Sequence, residues 1–268
     1  MYSLSSVQGT EIQQSSAREL AGKTAVVVGA SRGLGHGVVT ALGEAGVGVV
    51  ALSRTQVRPN GEAGHEPAVH WELGDAGDAT TPRRILDAYD PHIVVIVAGA
   101  SPHMAPLQQH TWETFSANWN SDVRIAFHWL REILLRPLRP GGRVIVFSSG
   151  AALNGSPLSG GYAGAKATQR FITAYAQDEA RRARLDIAFA AVLPRFSPQT
   201  GVGRPAVQAY ADRTGQSVDD YLAALVATGG PLVTPEGAGA AVVELACAKA
   251  ADVASAYLLS GDGLKKLS

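Results

Sequence analysis

The sequence predicts an α/β fold, a doubly wound and mainly seven-stranded parallel sheet with helices on both faces. Three observations carry that prediction. Short β-branched runs alternate with longer helical patterns along the chain, which is how strands and crossover helices follow one another in a parallel sheet. A glycine-rich turn joins the first run directly to the first helical stretch. The 268 residues, 46% of them hydrophobic, suffice to bury one large core.

The first strand is expected at Thr24–Gly29. It runs into Gly29-Ala30-Ser31-Arg32-Gly33-Leu34-Gly35 and then a helix to Ala45. Glycines between a strand and a helix let backbone N–H groups and the helix N-terminus approach a pyrophosphate. Gly29, Ser31, Arg32, Gly33, Leu34 and Gly35 are therefore candidate dinucleotide contacts of a Rossmann-like fold. The second strand, Gly48–Ser53, ends on Ser53 and Arg54, where sites selective for an unphosphorylated ribose carry a carboxylate. Arg54 and Arg32 suit a 2′-phosphate through charge-assisted bonds, which favours NADP(H) and leaves NAD(H) as the lesser cofactor. A third strand, Ala68–Leu73, is expected to set Glu72 and Leu73 beside the adenine. A helix over Thr81–Tyr89 leads to the fourth strand, His92–Ala98.

A long helix follows over Thr111–Leu135, then a fifth strand over Arg143–Ser148 and a second long helix over Gly161–Arg184. Within that helix, Tyr162-Ala163-Gly164-Ala165-Lys166 begins 13 residues after Ser149. Positions i and i+4 share a helix face. A free tyrosine titrates near pH ~10, and a neighbouring ammonium favours the phenolate and brings the group toward a working value at neutral pH. Tyr162 is thus a candidate acid/base. The sixth strand, Asp186–Leu193, gives way to Pro194–Pro231, rich in proline and glycine with a weak helix around Ala206–Ala227. This stretch reads as an insertion above the crevice, a mobile substrate lid. A helix over Pro235–Lys249 and a seventh strand over Ala254–Ser260 complete the order.

Charge and cysteine content narrow the function classes. Lys+Arg and Asp+Glu both total 23, so no global field gathers nucleic acid or an anionic membrane. Cys247 is the only cysteine, which rules out an intrachain disulfide and fits a reducing compartment. Residues 1–18 are rich in Ser and Gln without the apolar stretch of a signal peptide, and the longest apolar run, around His92 to Ala100, is too short to span a bilayer. The expectation is a cytoplasmic protein with a flexible leader at 1–18 and a single domain at 19–268. No His/Cys/Asp cluster has metal-ligand spacing, so no metal is expected.

These motifs, in this order, resemble the short-chain dehydrogenase/reductase family in its compact single-domain branch, over about residues 20–263. The resemblance adds Ala98-Gly99-Ala100 after the fourth strand as a cofactor contact, and Gly261-Asp262-Gly263 near the end. It implies that Tyr162 is the general acid in reduction and the base in the reverse direction. Lys166 would hold the nicotinamide ribose, and Ser149 would hydrogen-bond the substrate oxygen as charge develops. A fourth member, an asparagine on the long helix that supports a proton relay, is met by Asn118 or Asn120, with Asn118 preferred. Pro194-Arg195 replaces the family's Pro-Gly beside the nicotinamide. With Phe196 this pair belongs to the cofactor set, and Arg195 is open between pyrophosphate, an anionic substrate and solvent.

The implied function is an NADP-dependent oxidoreductase interconverting a secondary alcohol and a ketone or aldehyde, a carbonyl reductase. Ser149, Tyr162, His103, Leu153 and Phe196 are expected to contact the small-molecule substrate. The competing reading is a regulatory protein that binds NADP and senses redox state without turnover. Retention of Tyr162, Lys166 and Ser149 argues for chemistry. The family also implies a homodimer or homotetramer through the two long helices.

Overall fold

The computed structural model describes residues 19–55 and 69–267. The expected leader at 1–18 lies outside them. Eight strands form one sheet in the order β3-β2-β1-β4-β5-β6-β7-β8. They are β1 (Thr24–Val28), β2 (Gly48–Ser53), β3 (Val69–Leu73), β4 (Ile93–Ile96), β5 (Gly142–Phe147), β6 (Ile187–Pro194), β7 (Ala256–Ser260) and β8 (Gly263–Lys266). The first seven run parallel, as expected. The eighth, which the sequence reading did not include, pairs antiparallel with β7. Gly263, at φ 106°, turns the chain there. Lys265 and Lys266 make it a charged outer edge, which discourages pairing with another chain.

Alternation along each strand divides the core. Ala25, Val27, Val49 and Ala51 face one side with Val38 and Leu42 of α1 (Gly33–Glu44) and Val242 and Leu245 of α9 (Pro235–Cys247). Val26, Val28, Val50 and Leu52 face the other, with Ile85 of α2 (Thr81–Tyr89), Trp129 and Ile133 of α4 (Arg124–Leu135) and Ala176 of α6 (Gly160–Arg182). Every residue of β5 and β6 is buried, as parallel strands covered on both faces must be.

The helix expected at Thr111–Leu135 is broken. Thr111 caps α3 (Trp112–Asn118) through a reciprocal pair with Thr114, a π-helical turn covers Trp119–Val123, and α4 resumes at Arg124. In that turn the Asp122 carbonyl accepts the Gln169 side-chain amide at 2.9 Å, a side-chain bond of the kind that accompanies a widened turn. After β5 comes a short α5 (Ala151–Asn154). The segment read as one weak helix over the crevice holds two, α7 (Gly203–Thr214) and α8 (Val218–Gly229).

The chain winds outward from β1 to β3, then returns to the far side of β1 as β4. A crevice opens at the carboxyl ends of the strands where the order reverses.

Candidate active site

A cleft of about 940 Å³ occupies that crevice. Its floor is the glycine turn after β1, with Gly29, Ser31, Arg32, Gly33 and Leu34 on the lining. Gly35 lies beneath, buried, where an added Cβ would stand 2.1 Å from the Gly29 carbonyl oxygen. No side chain fits that contact, so the first turn of α1 stays pressed against the strand end and its N–H groups stay open to the cleft. Ser53 and Arg54 line the same end. Arg32 and Arg54 are exposed and have no carboxylate partner among the described residues. The cradle and its charge fit a phosphate-bearing dinucleotide.

Glu72 and Leu73 do not reach the cleft. Glu72 accepts from the Tyr89 hydroxyl and from Arg84 (2.9 Å), and these two bonds hold its carboxyl below the usual range. Leu73 is exposed. The chain meets the cleft immediately past the strand end, at Gly74, Asp75, Ala76 and Gly77. There Asp75 accepts the Gly77 amide at 2.9 Å, an Asx turn whose sequence signature is readable.

At the other end, Ala98, Gly99, Ala100, Ser149, Leu153, Tyr162, Lys166, Pro194, Arg195 and Phe196 all line the cleft. Ser149 follows β5, and its Oγ accepts the Ala151 amide at 3.2 Å. Tyr162 and Lys166 share the inner face of α6, with Nζ 5.6 Å from the centre of the phenol ring. Lys166 also donates to the Phe147 carbonyl (3.2 Å) and to Gln169 Oε1 (2.8 Å). Ser148 lies beneath, donating to the Lys166 carbonyl at 2.7 Å.

The relay asparagine is corrected by this geometry. Asn118 is buried and donates to the Ala100 carbonyl at 2.9 Å, and Asn120 donates to Ser116 Oγ at 3.4 Å. The side chain that meets Lys166 is Asp122, with Oδ2 at 3.1 Å from Nζ. Burial opposes the Lys166 charge, but the Asp122 carboxylate, with the Tyr162 oxygen, outweighs it and holds the ammonium above the ordinary lysine range. Asp122 lies four residues beyond Asn118, with Oδ1 accepting Asn118 Nδ2 at 3.4 Å, so both point inward and it is the carboxylate that reaches Nζ.

His103 is likewise turned away, exposed, with its ring edge-on to His110 at 5.4 Å; Pro102 and Met104 line the cleft instead. Arg195 donates to the Gly229 carbonyl at 2.5 Å, tying the end of β6 to the end of α8. Tyr210 on α7 was not anticipated. Its hydroxyl meets Ser156 Oγ at 2.5 Å and accepts from the Leu158 amide at 3.3 Å, and its ring stacks on Tyr221 of α8.

Comparisons with known proteins bear on the family and the fold. The family model described as short chain dehydrogenase matches residues 23–209, and the chain belongs to that family. It is 30% identical over 176 residues to the hydroxynaphthalene reductase-like protein Arp2 of Metarhizium majus, covering 62% of this chain and 66% of that one. It is 31% identical over 105 residues to L-xylulose reductase of Homo sapiens, covering 39% and 43%. The chain thus spans just under two thirds of the first of these and less of the second. Among solved structures, the actinorhodin polyketide ketoreductase with NADPH superposes with a TM-score of 0.74 at 20% identity, covering 89% of this chain and 96% of that one. A short chain dehydrogenase from Mycobacterium avium superposes at 0.67 and 19%, covering 93% and 86%. The family is one of NAD(P)(H)-binding oxidoreductases that act on small molecules. Among the described residues, no helix is long and apolar enough to cross a membrane.

Proposed function

We propose that the protein is an NADPH-dependent carbonyl reductase that delivers a hydride to a ketone or aldehyde while Tyr162 supplies the proton. The observation that carries this reading is that Tyr162, Lys166 and Ser149 line one cleft with the glycine turn. Gly29–Gly33, Ala98–Ala100 and Pro194 would hold the dinucleotide, with Arg32 and Arg54 at its 2′-phosphate. Bound there, the cofactor supplies the hydride. Ser149 Oγ already accepts from Ala151, which leaves its O–H to donate to the substrate oxygen. The Tyr162 hydroxyl donates the proton to that oxygen as negative charge builds on it. Lys166, fixed by its three partners, orients the nicotinamide ribose and keeps a cation below the phenol.

Met104, Leu153, Pro157 and Leu225 on the lining favour an apolar, ring-sized substrate. The reductase names of the relatives favour the reductive direction. The same reading makes the protein a homo-oligomer, since α4 and α6 leave Phe127, Leu135 and Tyr175 exposed along one groove.

The test follows NADPH and NADH oxidation over a panel of ketones, aldehydes and quinones, for the native protein and Tyr162→Phe. Turnover that favours NADPH and falls about 10²- to 10⁴-fold in the variant, with NADPH binding retained, is the expected result. Tight NADPH binding with no turnover anywhere on the panel would favour the regulatory reading instead.

A further inference from the structure

Asp122 and Lys166 lie 44 residues apart in sequence and are joined by a buried ion pair, with side chains 1% and 6% exposed. Asp122 is held at three points, two on its carboxylate and one on its backbone carbonyl. Oδ1 accepts the Ala100 amide at 2.8 Å and Asn118 Nδ2 at 3.4 Å. The Asp122 carbonyl takes the Gln169 amide, and Gln169 Oε1 in turn takes the Lys166 ammonium. Oδ2 accepts no well-formed hydrogen bond among the described residues and rests against Nζ alone. It is packed so close to the strand end that a Cβ on Gly99 would stand 2.7 Å from it. A buried carboxylate with a lone oxygen persists only where a cation compensates it. The ionisable groups that act on Lys166 are Asp122 from the π-helical turn and Tyr162 from its own helix. α5 and β6 carry no ionisable side chain, Glu113 on α3 is exposed, and Arg124 at the start of α4 lies beside Gly77.

We propose that Asp122 is a positioning residue for proton transfer: with Gln169 as its clamp, it pairs with Lys166 so that Tyr162 works above a compensated charge and not above a bare cation. This rests on the reading of Tyr162 as the proton-transfer group. A compensated pair leaves less net positive charge beside the phenol than a bare ammonium would, and the protonated phenol is the form that reduction consumes. Asp122→Asn leaves the shape and removes the charge, so over the range in which Lys166 keeps its proton the site becomes one unit more positive and the phenolate is favoured.

The experiment reads the phenolate by ultraviolet difference absorbance during alkaline titration, each protein against its own Tyr162→Phe partner, so that no substrate is needed. The Tyr162 step in Asp122→Asn should come about one pH unit below the native one. In parallel, the alkaline limb of NADPH-dependent reduction should move the same way. Asp122→Ser, neutral but smaller, should shift in the same direction, whereas a purely structural role would follow side-chain size. Folding of each variant is checked by circular dichroism and NADPH binding. Titrations that superimpose, move upward, or follow size overturn the proposal. Loss of turnover from every protein, with the absorbance shift intact, would count against the reductase reading and leave the charge pairing standing.

Discussion

Oδ2 of Asp122 lies 3.1 Å from Nζ of Lys166, beneath the cleft that also holds Tyr162. Removing one partner strands the other as a buried charge. Lys166→Met should therefore destabilise the protein by about 3–5 kcal/mol at neutral pH, and adding Asp122→Asn should restore most of the loss. Denaturant unfolding of the single and double variants measures both.

The same pair sets a pH dependence. The folded-state value of Lys166 is raised above its ordinary 10.5, so the stability it contributes is fully present below that pH and is lost as pH rises through the folded value. The stability gap between the native protein and Lys166→Met should stay constant up to about pH 10 and narrow above it. Unfolding free energies at a series of alkaline pH values would reveal a gap that instead widens, which this pairing does not permit.

Gly99 is constrained by Asp122, not by its own backbone angles. A methyl group there would stand 2.7 Å from Oδ2. Gly99→Ala should cost about 1–3 kcal/mol and weaken NADPH binding. In an Asp122→Ser background the same change should cost measurably less, a coupling that a double-mutant cycle on thermal unfolding reads directly.

Arg32 and Arg54 stand exposed on the cleft lining beside the glycine turn. Replacing both by Ser should raise the KM for NADPH at least tenfold, since each charge-assisted bond contributes about 1.5–3 kcal/mol. The KM for NADH should stay within about twofold, because only the 2′-phosphate distinguishes the two. Equal effects on both cofactors would place the arginines elsewhere on the dinucleotide.

Tyr210 ties α7 to the segment before α6 through Ser156 and Leu158. Tyr210→Phe removes those bonds while keeping the ring stacked on Tyr221. A severalfold rise in substrate KM with kcat little changed, and faster proteolysis within α7 and α8, are the expected outcomes, consistent with about 1 kcal/mol per lost hydrogen bond. Kinetics and timed digestion check them together.

Much of this molecule is written locally. Val26, Val27 and Val28 run into Gly29 and announce a buried strand followed by a turn, and Tyr162 and Lys166 share a face because a helix repeats every 3.6 residues. The hydrophobic run stops at Leu73, but the cleft lining begins with the next residue and runs over 74–77, and run length says nothing of where a chain bends. His103 is exposed with its ring edge-on to His110 while Pro102 and Met104 on either side line the cleft, a difference that residue type alone does not announce.

The sequence by itself determined the parallel sheet, the glycine turn and the spacing that sets a phenol above an ammonium, because each follows from periodicity and residue type over a few neighbouring positions. Only the tertiary structure decided that an aspartate meets Lys166, that Gln169 closes the contact, and that Tyr210 ties α7 to Ser156 and Leu158. These depend on a widened helical turn and on side chains distant in sequence meeting in a space from which water is excluded. There, charge and hydrogen bonding are governed by what packs opposite and not by what lies adjacent in the chain.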